Sequence, residues 1–241
     1  MVYFQTIAGH GKQISEDSIL IGSSVYSNTS GNADIPYGGL ICIADGVGGN
    51  NAGEIASSFV LNALSGYEWK DDDTTIEKVL EINQNLISYS EKESRLNSMA
   101  TTLSGVCFLN NELKILHVGN TRVYSMQGHY LKQLTSDHTT YNWLKSIGRL
   151  EEAELCKKNE ITNCLGGGDE KLAQKFCVNT YSESSTLLLT SDGVHDYVSI
   201  DELEEVINSD LSNENKCDQI IKKAIEAGSD DDISVVLIYT K

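Results

Sequence analysis

Proline occurs once in the 241 residues, at Pro36, and no apolar run approaches the ~20 residues that a membrane-crossing helix needs. A bilayer span and a proline-rich linker are both excluded as expectations. Basic residues are scarce: 18 Lys and Arg stand against 35 Asp and Glu, a formal net charge of −17. Nucleic acid and anionic membrane surfaces are drawn to a positive field, which this chain lacks, so neither is expected as a partner. The six cysteines, at 42, 107, 156, 164, 177 and 217, include no C-x-x-C pair, and several lie inside apolar runs. Zinc is unexpected, and buried, reduced thiols in a reducing compartment are the reading. The opening Met1-Val2-Tyr3-Phe4-Gln5 has neither the basic segment nor the long apolar stretch of a secretion signal, so the expected location is the cytoplasm.

What is present is a sizeable apolar fraction, 40% of residues, enough for a substantial core. The stretch around which the chain is organised runs from Gly39 to Glu54. Leu40 to Ala44 reads as a short buried strand preceded by Gly38-Gly39, and it delivers one carboxylate, Asp45, into a glycine-rich turn with Gly46, Gly48 and Gly49. A helix is expected from near Asn50, with Ala52, Ile55, Ala56, Phe59, Val60, Ala63 and Leu64 on its apolar face. A carboxylate beside exposed carbonyls suits a hard divalent cation. The same residues also suit a tight strand-to-helix turn with Asp45 as a helix cap.

Taken in order, residues 2–8 read as a strand, and Glu16 and Asp17 stand at the start of a second, Ile19 to Gly22. Asp71 to Thr74 supplies a cap for a second helix with Ile76, Val79, Leu80, Leu86 and Ile87 as its stripe. Four runs between Thr101 and Leu134, joined by short turns, predict a meander. Asp137 is expected to cap a short helix over Tyr141 to Ile147, a further helix begins at Gly148 to Ala153, and Gly166-Gly167-Gly168-Asp169 reads as a mobile loop. Strands return at Lys175–Tyr181 and Thr186–Thr190, and the second ends in Ser191-Asp192-Gly193. Asp201 and Asn213 are read as caps, with Ile220, Ile221, Ala224 and Ile225 striping the last helix, and Asp230-Asp231-Asp232 runs into a final strand, Val235 to Tyr239. With no repeats or linkers, the expectation is one α+β domain over 1–241. It is a four-layer α-β-β-α sandwich of two mostly antiparallel sheets flanked by helix pairs.

Four strand ends thus present acids: Glu16-Asp17, Asp45, Asp192 and Asp231. Without histidine or an accessible cysteine among them, they point to an oxygen-only site for magnesium or manganese. Two such ions lower the pKa of a water and clamp a phosphoryl group. The bland alternative is that the acids are scattered caps and solvated strand ends.

At these residues the chain resembles the metal-dependent type 2C (PPM) protein serine/threonine phosphatases in their compact bacterial form. Ser15-Glu16-Asp17-Ser18 resembles N-E-D-A, and Asp45 to Gly49 with Ala52 to Ala56 resembles D-G-M-G-G followed by A-G-E-x-A. Thr101-Thr102-Leu103 resembles T-T-L, His117 to Tyr124 the V-G-D-S-R-x-Y hairpin, and Leu134 to His138 the L-T-x-D-H turn. Thr190 to Val194 resembles T-S-D-G-V/L, and Asp231 to Ser234 D-N-I-[ST]. The resemblance implies that Asp45 bridges two metals with the Gly46 carbonyl on one. It implies that Asp192 and Asp231 hold the first metal, Glu16 the second through water, and Asp17 orients or deprotonates the bridging water. It also implies Asp196 in a weak third metal site, and a flap-like segment from Trp143 to Asp169 that selects substrates. The implied cofactors are two Mn2+ or Mg2+ ions with a weak third. The implied partners are phosphorylated proteins and a cognate Ser/Thr kinase, for a monomeric enzyme.

Three positions depart from the family pattern. Lys12 stands where a phosphate-binding arginine is usual, keeping the charge but losing the bidentate fork. Asn120 replaces an aspartate that serves the third metal, and Asp232 replaces an asparagine, leaving the Asp230–Asp232 register open by one with Asp231 preferred. An active phosphatase is expected from the retained acids. The alternative is a degenerate, weakly active or inactive member acting as a phosphoprotein-binding regulatory module.

Overall fold

In the computed structural model, which describes residues 1–47, 52–182 and 186–240, the continuous apolar runs are strands covered on both faces. The first half of the chain forms β1 (Val2–Ile7), β2 (Asp17–Ile21), β3 (Ser24–Tyr26), β4 (Thr29–Ala33), β5 (Leu40–Val47), α1 (Gly53–Leu64) and α2 (Asp72–Ser90). Then come β6 (Ala100–Thr101), β7 (Leu103–Leu109), β8 (Glu112–Val118), β9 (Arg122–Gln127), β10 (Tyr130–Gln133), α3 (Thr140–Ser146) and α4 (Leu150–Ala153). The chain continues through β11 (Leu165–Gly166), β12 (Cys177–Ser182), β13 (Thr186–Thr190), α5 (Asp192–His195), α6 (Ile200–Asn208), α7 (Asn213–Glu226) and β14 (Ile233–Tyr239).

Among these residues one six-stranded sheet has the order β10-β9-β13-β14-β1-β4, and an eight-stranded sheet the order β11-β6-β5-β7-β8-β12, with β2 on β5 and β3 on β2. Alternation along β5 explains the layering. Ile41 and Ile43 point between the sheets with Val106, Ile115, Leu189 and Val236. Leu40, Cys42 and Ala44 point outward beneath α1 and α2. Helices α6 and α7 cover the outer face of the other sheet through Leu203, Ile220 and Ile221. A strand buried on both faces reads as an unbroken apolar run, which is what Leu40 to Ala44 is. The expected α-β-β-α sandwich is the observed architecture.

Several local expectations differ. The four runs from Thr101 to Leu134 are not one meander: β7 and β8 pair in one sheet, β9 and β10 in the other. The chain changes sheet at Gly119-Asn120-Thr121, where Gly119 has φ +109 and an added Cβ would run into Thr102. A hairpin turn and a change of sheet ask for the same Gly-Asn chemistry, so alternation could not tell them apart. The triple-glycine segment is not a free loop either. Leu165–Gly166 pairs with Ala100–Thr101, and the Gly166 N–H donates to the buried Asn83 Oδ1 at 2.7 Å.

Helix starts follow hydroxyls more than the acids beside them. Asp71 caps α2 as expected, but Thr139, Ser199 and Ser212 cap α3, α6 and α7 in place of Asp137, Asp201 and Asn213. The stripe of α2 is Thr75, Val79, Ile82, Asn83 and Leu86, with Leu80 exposed, and on α7 Cys217 is buried while Ile225 is exposed. The first helix begins at Gly53; Gly48, Gly49 and Asn50, on which its start was expected, lie outside the described residues. All six cysteines are free. Among the described residues no helix is long and apolar enough to cross a membrane.

Candidate metal centre

The β5 strand continues past Ala44, so Asp45 lies within it, directly opposite Asp17 of β2. Its backbone is gripped by the neighbouring β6–β7 junction. The Asp45 N–H donates to Thr102 Oγ1 at 3.1 Å, and its carbonyl accepts from the Thr102 N–H and the Thr101 hydroxyl, both at 2.9 Å. Two glycines then let the pieces close. A Cβ on Gly46 would collide with the Gly53 carbonyl, and a Cβ on Gly53 with Glu16 Oε1. The start of α1 therefore packs onto β5 and leaves room for the Glu16 carboxylate beside it. The Glu16 carbonyl accepts from the Gly46 N–H at 3.1 Å and the Ser57 hydroxyl at 2.6 Å.

On the other sheet, Asp192 opens the short α5, and Gly193 permits contact with the Asp232 carbonyl that any Cβ would block. Asn120 donates through Nδ2 to Asp192 Oδ2 at 2.9 Å, so the amide nitrogen faces the carboxylate and Oδ1 is left buried without a partner. Asp196 follows four residues later and is exposed. It lines a pocket of about 260 Å³ together with Asn120, Arg122 and Lys158. Asp231 is half-exposed, whereas Asp232 is 2% exposed and holds the loop before β2: its Oδ1 accepts from Gly9 N–H at 2.7 Å and its Oδ2 from Glu16 N–H at 2.8 Å. Asp232 is thus a structural acceptor whose charge also acts on Asp17, whereas the charge of Asp231 acts on Asp45 and Asp192.

The electrostatics are those of crowded anions. Burial, then the charges of Asp192, Asp17 and Asp231, holds the Asp45 carboxyl well above its ordinary value. Asp17 is fully enclosed, makes no complete hydrogen bond through either carboxylate oxygen, and is pushed up to about 8, chiefly by burial. Asp192 is pushed up to about 6 by burial, then by Asp231 and Asp196. Among the described residues no three acidic, histidine or cysteine side chains stand ready to chelate a metal. In the contacts, the Lys12 ammonium sits on Glu16, Asp231 and Asp232. An all-oxygen donor set, mutual repulsion and two enclosed, unpartnered Asp17 oxygens nevertheless fit a hard divalent cation.

Sequence reasoning found the acids but missed what holds them. Thr101 and Thr102 grip Asp45, and Thr102 Oγ1 also meets Thr121 Oγ1 at 2.6 Å, beside Asn120. The available signal was a pair of adjacent threonines on a strand otherwise apolar. Arg122 grips Asp137 with both Nε and Nη2 contacts, down to 2.6 Å, which is why Asp137 is unavailable as a cap.

The protein phosphatase 2C sequence profile matches residues 31–237. The serine/threonine phosphatase stp of Listeria monocytogenes serotype 4b is 34% identical over 212 residues, covering 83% of each chain. Stp1, a serine/threonine phosphatase from Staphylococcus aureus, superposes with a TM-score of 0.82 at 25% identity over 100% of this chain and 94% of its own. The catalytic domain of serine threonine protein phosphatase PstP, in complex with 2 manganese ions, superposes with a TM-score of 0.78 at 26% identity over 98% of each chain.

Proposed function

Because the chain belongs to the protein phosphatase 2C family, we propose that it hydrolyses phosphoserine and phosphothreonine esters on proteins at a centre of two manganese or magnesium ions. The observation that carries this reading is the convergence of acids from both sheets on one point: Asp17 opposite Asp45, with Asp192 and Asp231 repelling Asp45. Asp45 would be shared between the cations, Asp192 and Asp231 would hold one of them, Glu16 would hold the other through water, and the Gly46 carbonyl would serve one of the two. Bound there, such ions lower the pKa of a water and neutralise charge on the phosphoryl group.

The chain's own residues do the rest. Neither Asp17 oxygen makes a complete hydrogen bond, although the Ser234 and Ser191 hydroxyls lie near, and Asp17 orients the attacking water and takes its proton. Lys12 meets a non-bridging phosphate oxygen as a point charge. Water attacks phosphorus and gives a proton to Asp17, the bond to the seryl or threonyl oxygen breaks, and that proton passes from Asp17 to the leaving oxygen, with no covalent enzyme intermediate. No acid of the set is lost, so nothing favours a silent phosphoprotein-binding module. The substrates are supplied by a serine/threonine kinase, and the enzyme works as a cytoplasmic monomer, one domain over 1–241. The segment 143–169, with Trp143, Ile147 and Leu155 exposed, selects among phosphoproteins. Phosphate release from p-nitrophenyl phosphate and from a phosphothreonine peptide tests the reading: it should require Mn2+ and vanish with chelator. Equal rates with and without chelator would overturn it.

Asn120 makes a second prediction at the same site. Its amide donates to Asp192, so Asn120→Asp replaces an attraction by a third negative charge facing Asp192 and Asp196. The cation-free variant should melt earlier and reach half-maximal rate at a lower Mn2+ concentration, because Asp196 and residue 120 then form a stronger third position. Superimposable metal titrations for the two proteins would reduce Asn120 to a chain-turning residue.

A further inference from the structure

Among the described residues Lys12 is the one base in direct contact with the site's carboxylates. Its Nζ lies 3.0 Å from Asp232 Oδ2, 3.2 Å from Glu16 Oε2 and 3.3 Å from Asp231 Oδ1. The three acids differ in kind. Asp232 is buried and already fixed by two backbone N–H groups, those of Gly9 and Glu16. Glu16 and Asp231 are more open, 24% and 48% exposed in their side chains, and are the two assigned above to different cations. An ammonium is a compact point charge with three donors, so three oxygens from three directions satisfy it fully. Lys12 therefore does at these oxygens what a divalent ion would do: it holds Glu16 and Asp231 together against their repulsion. A second cation approaching the same oxygens meets an ammonium at contact distance, where like charges repel most strongly.

We propose that Lys12 is a tethered counter-ion of the cation-free site, which the incoming divalent cation displaces from Glu16 and Asp231. Asp232 is the pivot. Being buried and fixed to the frame, it keeps the ammonium at the rim as the other two oxygens are taken, so that displacement turns Lys12 outward to where a substrate phosphate arrives. Loading with cation and presentation of the phosphate-binding charge are then one event. The inference rests on the reading of Glu16 and Asp231 as cation ligands.

The direct test uses the wild-type chain and reads no activity. Lysine acylation followed by mass spectrometry should label Lys12 several-fold faster in Mn2+ than in chelator, while Lys78 and Lys222, on distant helix surfaces, label equally in both. Mn2+ calorimetry is run beside it, and Lys12→Gln should bind Mn2+ about tenfold more tightly than wild type, with a lower melting temperature in chelator. Lys158→Gln, which removes a nearby charge that makes no bond to Glu16 or Asp231, should change Mn2+ affinity far less. If Mn2+ binds wild type but Lys12 labelling is unaffected by it, or Lys12→Gln binds no more tightly than Lys158→Gln, the counter-ion proposal is overturned and the phosphatase reading stands. If wild type binds no divalent cation, both are overturned.

Discussion

Asp45→Asn is expected to abolish turnover and manganese-dependent thermal stabilisation together, while the cation-free protein becomes at least as stable as wild type. Asp45 lies where Asp17, Asp192 and Asp231 all act on it, and burial adds to their repulsion. Removing its charge relieves the cation-free cluster, yet it takes from the cations the one carboxylate proposed to serve both. The Asp45 backbone contacts to Thr101 and Thr102 do not use the side chain, so the strand should keep its place. A loss of at least a hundredfold in kcat/KM is expected, equivalent to about 2.7 kcal/mol in barrier. A variant keeping more than about a tenth of wild-type rate, a barrier change below about 1.4 kcal/mol, would remove Asp45 from the reaction. Melting curves with Mn2+ and with chelator provide the companion readout.

The second large effect is on stability against pH in the absence of cations. Asp17 is pushed up to about 8 and Asp192 to about 6, both chiefly by burial, whereas an unfolded chain titrates aspartate near ~4. Between those limits the folded protein holds protons that the unfolded chain has released, so its stability falls as pH rises. Buried histidines oppose this on the acid side. His138 is lowered to about 4 and His117 and His195 are also lowered, all chiefly by burial, so stability gained from them rises with pH up to about 6.5, the unfolded value. Above that the raised carboxyls lower stability as pH rises, joined toward pH 8 by buried thiols such as Cys42 and Cys217, whose ionisation burial opposes. From pH 6.5 to 8 Asp17 should cost about 2 kcal/mol, since each tenfold change in proton affinity is worth about 1.4 kcal/mol. For a chain of this size that is a fall of roughly 4–8 °C in melting temperature. Asp17→Asn should remove its own share of the fall and leave that of Asp45, and saturating Mn2+ should flatten it in wild type. A chelated wild-type protein equally stable at pH 6.5 and 8.5 would show that Asp17 is not held protonated by its surroundings.

Much of this site was legible because its acids are placed by rules that leave marks in sequence. Asp45, Asp192 and Asp231 stand where apolar runs meet glycine or a turn, and Gly46, Gly53 and Gly193 are needed because backbone or carboxylate comes too close for a Cβ. Positions that were not legible depend on direction across the fold. Asp231 and Asp232 are identical side chains in succession; only the entry of β14 and its grip on the Gly9–Glu16 loop decide which one is buried. Thr102 reaches Asp45 across 57 residues, a contact with no periodicity to announce it. The change of sheet at Gly119 was hidden because both possible turns use the same residues. Caps were misplaced at Asp137, Asp201 and Asn213 for a simpler reason. A hydroxyl lay nearby in each case, and Asp137 was already committed to Arg122.

The most direct test is anomalous diffraction from crystals soaked in Mn2+. Two peaks are expected beside Asp45, one flanked by Asp192 and Asp231, the other on the Glu16 side, with the Gly46 carbonyl against one of them and Lys12 turned away from Glu16 and Asp231. Density confined to the surface, or a single ion that leaves Asp45 untouched, would contradict a two-cation phosphatase centre in this chain.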